Sequence, residues 1–168
     1  KKTKLPKVFN RYQSELNVFT KDFYNNYDDN LYKTHRYFLG WIDEKGHKTD
    51  VSGKSFRPSI MMLINESLGG KSENILPLAM SIELFHNFSL IHDDIMDGDN
   101  LRHSIETIHS KWNISVAVLA GDAVLGLAFK GLNNVSNNIK ELFNSALIAV
   151  CEGQALDIEY ESCKTITK

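Results

Sequence analysis

The chain has 168 residues, 42% hydrophobic and 24% charged, globular proportions that exclude a disordered, collagen-like or coiled-coil chain. Its 19 Lys and Arg against 21 Asp and Glu leave a net charge of −2, which argues against nucleic acid or an anionic membrane as the main partner. The length suits one domain rather than two, and with 3 Pro and 10 Gly there is little punctuation for a many-stranded sheet.

The opening KKTKLPKVFN has no apolar run of the kind that marks a secretory signal. Val8, Tyr12, Leu16, Phe19, Phe23 and Tyr27 then fall three and four apart, which predicts one stripe of a long helix over 5–27. A polar stretch follows at 25–30, then a mixed segment to Gly40 and a polar, turn-rich loop over 41–53. Arg57-Pro58-Ser59 opens an apolar helix, Ile60 to Leu68, with proline in the first turn where its missing N–H is harmless, and Gly69-Gly70 closes it. The next helix is expected to start near Pro77 and run through LAMSIELFHNFSLIHDDIMD to Gly98, a residue suited to the position just past a helix end. Residues 99–106 read as a polar loop, Ser115 to Leu132 as an apolar helix, 133–138 as a linker and Ile139 to Glu161 as a last helix. The longest apolar stretch, Ser115 to Phe129, carries Asp122 in its middle and is too short to cross a membrane. The expected class is all-α. Cys151 and Cys163 form neither a CxxC nor a disulfide framework, so a reducing cytoplasm is the plain reading.

Asp93, Asp94 and Asp97 make a DDxxD near a helix end. Asp93 and Asp97 share a face about 6 Å apart along the axis. Like charges so placed, at the end where the helix dipole disfavours anions, are expected to hold a cation. Mg²⁺ suits them, because it commonly takes one or two carboxylates and completes its shell with water and substrate phosphates. His86 lies seven residues earlier on the same face, and His92 has a structural reading. Lys54 and Arg57 stand where the polar loop meets a helix N-terminus, a good seat for a phosphate. Arg102 adds a cation beside the carboxylates. Cations on two segments facing a carboxylate pair are what a diphosphate site requires.

Four stretches, SGKSFRP, LFHNFSLIHDDIMDGDNLRHS, AGDAVLGLAF and CEGQALDIEYE, resemble in order and spacing the first half of a trans-isoprenyl diphosphate synthase of the polyprenyl synthetase family. The resemblance implies an all-α helical bundle around a central cavity, the isoprenoid synthase fold, in a homodimer. It implies a prenyltransferase that ionises an Mg²⁺-bound allylic diphosphate and condenses it with isopentenyl diphosphate. By position, Asp93, Asp94 and Asp97 would be the metal-binding motif, with Asp93 and Asp97 the direct ligands. Arg102 would contact the allylic diphosphate, and Lys54, Arg57 and His86 the isopentenyl diphosphate. Gln154 and Asp157 would line the cavity beside the metal.

Two departures stand out. The family usually shows RRG where this chain has Arg102-His103-Ser104, and a mostly neutral histidine cannot make the permanently charged, bidentate contact of arginine. The family's second Asp-rich motif and Lys-Thr pair are not found, and Lys164-Thr165 comes too soon after Gln154 to be that pair. Residues 1–168 are therefore expected to be the N-terminal part of one domain, inactive alone, with the faces around Phe85, Phe88, Leu90 and Ile91 left wet. A class I terpene cyclase on the same scaffold, or a non-catalytic partner of a full-length synthase, are the alternatives. In the family an aromatic at the position of Phe88 without one at that of Ser89 goes with short products, so the resemblance implies C15–C20, geranylgeranyl diphosphate favoured.

Overall fold

The computed structural model describes residues 7–49 and 53–161. The expected helix start at Leu5, residues 50–52 of the polar loop, Cys163 and Lys164-Thr165 lie outside the described residues. In chain order the elements are α1 (Lys7–Tyr24), α2 (Tyr32–Phe38), α3 (Phe56–Ser67), α4 (Ser72–Met96), β1 (Leu101–Arg102), β2 (Ile105–Glu106), α5 (Ile108–Lys111), α6 (Ile114–Lys130) and α7 (Asn137–Glu161). The all-α expectation holds. The chain divides after Asn133 into two compact units, with α7 in the second.

The first unit is organised on α4 and α6, which pack antiparallel: His92, late in α4, meets Gly121, while Pro77 and Ser81, early in α4, meet Gly131. Small residues allow the close approach. Ala79 on α4 and Ala117, Ala120 and Ala128 on α6 are fully buried, with Met80, Leu84, Ile91 and Val124 filling the space around them. Pro77 does not start its helix as expected. α4 begins at Ser72, and Pro77 sits inside it. The carbonyl that loses its helical partner belongs to Glu73, an exposed residue in the first turn, where the loss is cheapest.

On α1 the buried line is Phe9, Tyr12, Leu16, Thr20 and Tyr24, rotated from the expected stripe, and the helix ends at Tyr24 rather than Tyr27. Thr20 is buried because its hydroxyl donates to the Leu16 carbonyl at 2.7 Å. Tyr24 is buried because its hydroxyl meets His35 Nδ1 at 3.2 Å. The mixed segment before Gly40 contains the short helix α2, whose His35 is 1% exposed and bonds the Ala120 carbonyl of α6 through Nε2 at 3.0 Å. The rings of Tyr24 and Tyr32 stand edge-on around it. α3 starts at Phe56, earlier than expected, with Pro58 in its first turn, and α6 stops at Lys130, two residues short.

Two stretches expected to be irregular have form. In the 41–53 stretch Ile42 bridges Lys48, and the Asp43 carboxylate accepts the Lys45 and His47 N–H groups. Within 99–106, β1 and β2 pair as a hairpin, Leu101 opposite Glu106 and Arg102 opposite Ile105. Its tip, His103 and Ser104, has φ of 52° and 69°, the left-handed pair a two-residue turn demands. Thr107, fully buried, donates its hydroxyl to Asp99 and its N–H to Asn100, closing the hairpin base. Gly98, with φ of 68°, stands just past α4 as expected. Phe88 and Ile91, expected to be wet, are buried, and Phe85 and Leu90 are half-buried.

The second unit is α7. Its Leu142, Ile148, Leu156 and Ile158 are exposed, and Phe143 is buried. No helix among the described residues is long and apolar enough to cross a membrane.

Candidate functional site

One face of α4 carries Glu83, His86, Asn87, Leu90 and Asp94, at helical steps of three and four. That face forms a wall of a cavity of about 540 Å³. The opposite side is built by the segment entering α3, which brings Lys54 and Arg57, and by the hairpin, which brings Arg102 and His103. Six of the residues expected from sequence thus meet on one cavity: Lys54, Arg57, His86, Asp94, Arg102 and His103.

At the carboxylate end, Arg102 donates from Nε to Asp94 Oδ1 at 2.7 Å and from Nη2 to Asp93 Oδ2 at 3.1 Å. Asp93 therefore joins the site through Arg102. Asp94 is 2% exposed, and burial pushes its carboxyl above the ordinary carboxylate range against the pull of Arg102. Its second oxygen, Oδ2, is buried with no hydrogen-bond donor. Asp97 caps the end of α4 and is exposed. Among the described residues no three His, Cys, Asp or Glu side chains converge on a point where they would hold a metal. The donor set still fits Mg²⁺. That ion needs one or two protein carboxylates when phosphates and water fill the rest of its shell, and Asp94 Oδ2 is an acceptor without a donor.

At the basic end, Lys54 and Arg57 are exposed and His86 is half-buried. Burial and then the charges of Arg57 and Arg102 push His86 below its ordinary value, so it is neutral at pH 7. His103, at the hairpin tip, is exposed on the rim.

Sequence reasoning missed Glu83 and Ser55. Ser55 donates its hydroxyl to Glu83 Oε1 at 3.2 Å. The signal for Glu83 was its place three residues before His86, on the face that carries Asp94. Phe88 and Ser89 do not line this cavity. Phe88 is 8% exposed, with its ring centroid 4.8 Å from that of His92, and Ser89 donates to the His86 carbonyl at 2.8 Å. His92 keeps its structural reading, its Nε2 lying 3.6 Å from Asp122 Oδ1. Gln154 is half-buried and Asp157 exposed on α7, in the second unit.

Residues 41–168 match the profile of the polyprenyl synthetase family. Over 146 residues the chain is 36% identical to a geranylgeranyl diphosphate synthase of Methanosarcina mazei, covering 83% of this chain and 42% of that protein. It is 39% identical over 134 residues to a (2E,6E)-farnesyl diphosphate synthase of Mycobacterium bovis, covering 75% of this chain and 36% of that one. Among solved structures, a polyprenyl synthetase from Streptomyces coelicolor A3(2) superposes with a TM-score of 0.83 at 30% identity, over 95% of this chain and 49% of that chain. A geranylgeranyl pyrophosphate synthetase from Pyrococcus horikoshii gives 0.79 at 30% identity, over the same shares. The chain spans well under half the length of these curated relatives.

Proposed function

This chain belongs to the polyprenyl synthetase family, and from that premise we propose that it supplies the first half of an isoprenyl diphosphate synthase. The enzyme joins an allylic prenyl diphosphate to isopentenyl diphosphate and releases a short prenyl diphosphate of C15–C20. The observation that carries the reading is the single cavity with two charged ends on one face of α4: Asp94 with Arg102 and Asp93 at one, Lys54, Arg57 and His86 at the other.

Each end has a role in this reading. Asp93, Asp94 and Asp97 would hold Mg²⁺, which when bound supplies positive charge to the departing diphosphate of the allylic substrate. Arg102 grips the same diphosphate. Lys54 and Arg57 seat the second diphosphate with permanent charge, and neutral His86 donates a hydrogen bond to it. His103 reaches that diphosphate from the rim with less charge than an arginine would bring. The chain works in a homodimer, and a cytoplasmic setting goes with the free, exposed thiol of Cys151. Phe88 and Ser89 lie outside the cavity described above, next to Asn87 of its wall; in this reading the growing tail reaches them, Phe88 stopping it and Ser89 being too small to block it.

The test is prenyl transfer by the intact enzyme. Asp93→Ala is expected to lower turnover by orders of magnitude, and near-normal turnover in that variant overturns the metal-site assignment. His103→Arg is expected to lower the KM for isopentenyl diphosphate about tenfold and leave the allylic KM unchanged, a charge-assisted contact having been restored. Phe88→Ala should lengthen the products and Ser89→Phe shorten them, read by product chromatography. Hydrocarbon released from a prenyl diphosphate with no elongation would assign the chain to a cyclase instead.

A further inference from the structure

A carboxylate inside an anion-binding corner calls for an explanation, because its charge repels the ligand. Glu83 is such a group. It is half-buried on α4, one turn before His86, and lines the cavity together with Lys54 and Arg57. The segment that carries the two cations folds over it. A side chain at Gly53 would come to 3.9 Å from Glu83 Oε1, Ser55 donates its hydroxyl to the same oxygen at 3.2 Å, and the charge of Arg57 acts on the carboxylate.

Ser55 needs holding. Its φ of 39° and ψ of 45° are left-handed, a conformation a non-glycine residue keeps only where its surroundings fix it. Two sets of bonds do so. The Ser55 carbonyl accepts from the Ser59 N–H at 3.1 Å and from the Ser59 hydroxyl at 2.7 Å, which ties it to α3. The Ser55 hydroxyl ties it to Glu83, hence to α4. On the far side of the segment Gln13 of α1 donates to the Lys54 carbonyl. Lys54 and Arg57 are both exposed, so their direction depends on the backbone between them, and that backbone is pinned at Ser55.

We propose that Glu83 is a positioning residue. By accepting from Ser55 it fixes the Lys54–Arg57 segment in the shape that receives the diphosphate of isopentenyl diphosphate. The inference rests on the functional reading above and adds a residue to it. It makes a prediction of opposite sign to simple electrostatics. If Glu83 acted by its charge alone, removing it would tighten anion binding. If it positions the cations, removing it loosens anion binding.

The experiment measures binding of inorganic pyrophosphate to the intact enzyme by calorimetry, alongside KM values for both substrates and a thermal melt. Glu83→Ala is expected to weaken pyrophosphate binding about tenfold and to raise the KM for isopentenyl diphosphate by a similar factor. The allylic KM and the melting temperature should stay close to wild type. Ser55→Ala should act in the same direction, the double variant should be no worse than Glu83→Ala, and Glu83→Gln, which keeps an acceptor for Ser55, should recover part of the loss. Unchanged or tighter pyrophosphate binding in Glu83→Ala overturns the proposal. Where Glu83→Ala fails to fold, wild-type pyrophosphate binding in both Glu83→Gln and Ser55→Ala overturns it. A wild-type enzyme that binds pyrophosphate but transfers no prenyl group sinks the functional reading, while the Glu83 comparison is still decided by pyrophosphate. A wild-type enzyme that binds no pyrophosphate overturns both.

Discussion

His35 and Ser104 are each held in a state their own chemistry resists. His35 is buried among aromatic rings, and burial pushes it from 6.5 down to about 4 although the Ala120 carbonyl favours its N–H. The folded protein keeps it neutral, while the unfolded chain protonates it near its ordinary value. Its stabilisation is therefore complete above about pH 6.5 and is lost as the pH falls from 6.5 to about 4, roughly 3 kcal/mol in all. His86, also lowered by burial, adds to the slope, and Glu83, raised by burial, opposes it. Urea midpoints at pH 7 and pH 4.5 should differ clearly in the wild type and much less in His35→Gln; an equal difference in both would show that His35 is not the group. Ser104 has φ of 69°, a cost glycine does not bear. The position is glycine in the family pattern, and the hairpin shows why. Ser104→Gly is expected to stabilise the protein by up to about 1 kcal/mol, and a lower melting temperature would contradict this.

Between α4 and α6 the two close approaches differ in kind. A methyl at Gly121 would overlap the His92 ring, a side chain, whereas a methyl at Gly131 would overlap the Ser81 hydroxyl and also come to 2.8 Å from the Pro77 carbonyl, which is backbone. Gly121→Ala should cost about 1–3 kcal/mol and be largely rescued by His92→Ala. Gly131→Ala should cost as much or more and resist rescue by Ser81→Ala. Chemical denaturation of the four variants checks both, and equal rescue in the two pairs would refute the distinction. These helices were legible in the sequence because long apolar patterns repeat at their period. α2 was not, since YKTHRYF is two turns long and its buried positions, Thr34, His35 and Tyr37, are mixed in polarity. The hairpin was hidden because its turn is His-Ser, not the Asn-Gly that usually announces one. The cavity lining was more legible than the hairpin that carries part of it. The DDxxD with His86 two turns before it, the basic loop ahead of α3 and the cation after the carboxylates pointed to Asp94, His86, Lys54, Arg57 and Arg102, although the spacing singled out Asp93 and Asp97 and the cavity is lined by Asp94. Ser55 and Glu83 stayed hidden because their link is a tertiary contact between residues 28 apart in sequence.

Over the whole molecule, apolar residues remain exposed in both units: Ile114 and Leu119 on α6, Phe56 and Ile64 on α3, and Leu142, Ile148 and Leu156 on α7. At about 25 cal/mol per Å², covering them would stabilise the protein by several kcal/mol. Residues 1–168 expressed alone should therefore bind a hydrophobic dye and self-associate, and a dye-silent monomer in sedimentation would contradict this. The charged ends of the cavity stand on firmer ground. His86 and Asp94 lie on one unbroken helix, and eight residues of α-helix separate them by about 12 Å whatever the loops do. α4 thus works as a gauge. Deleting one residue between them would turn one end by about 100° out of the cavity, while residues on the hairpin or the α3 segment can be exchanged without altering the span. Variation in what this pocket accepts is therefore channelled into its walls and rim, because its length is set by the pitch of a helix.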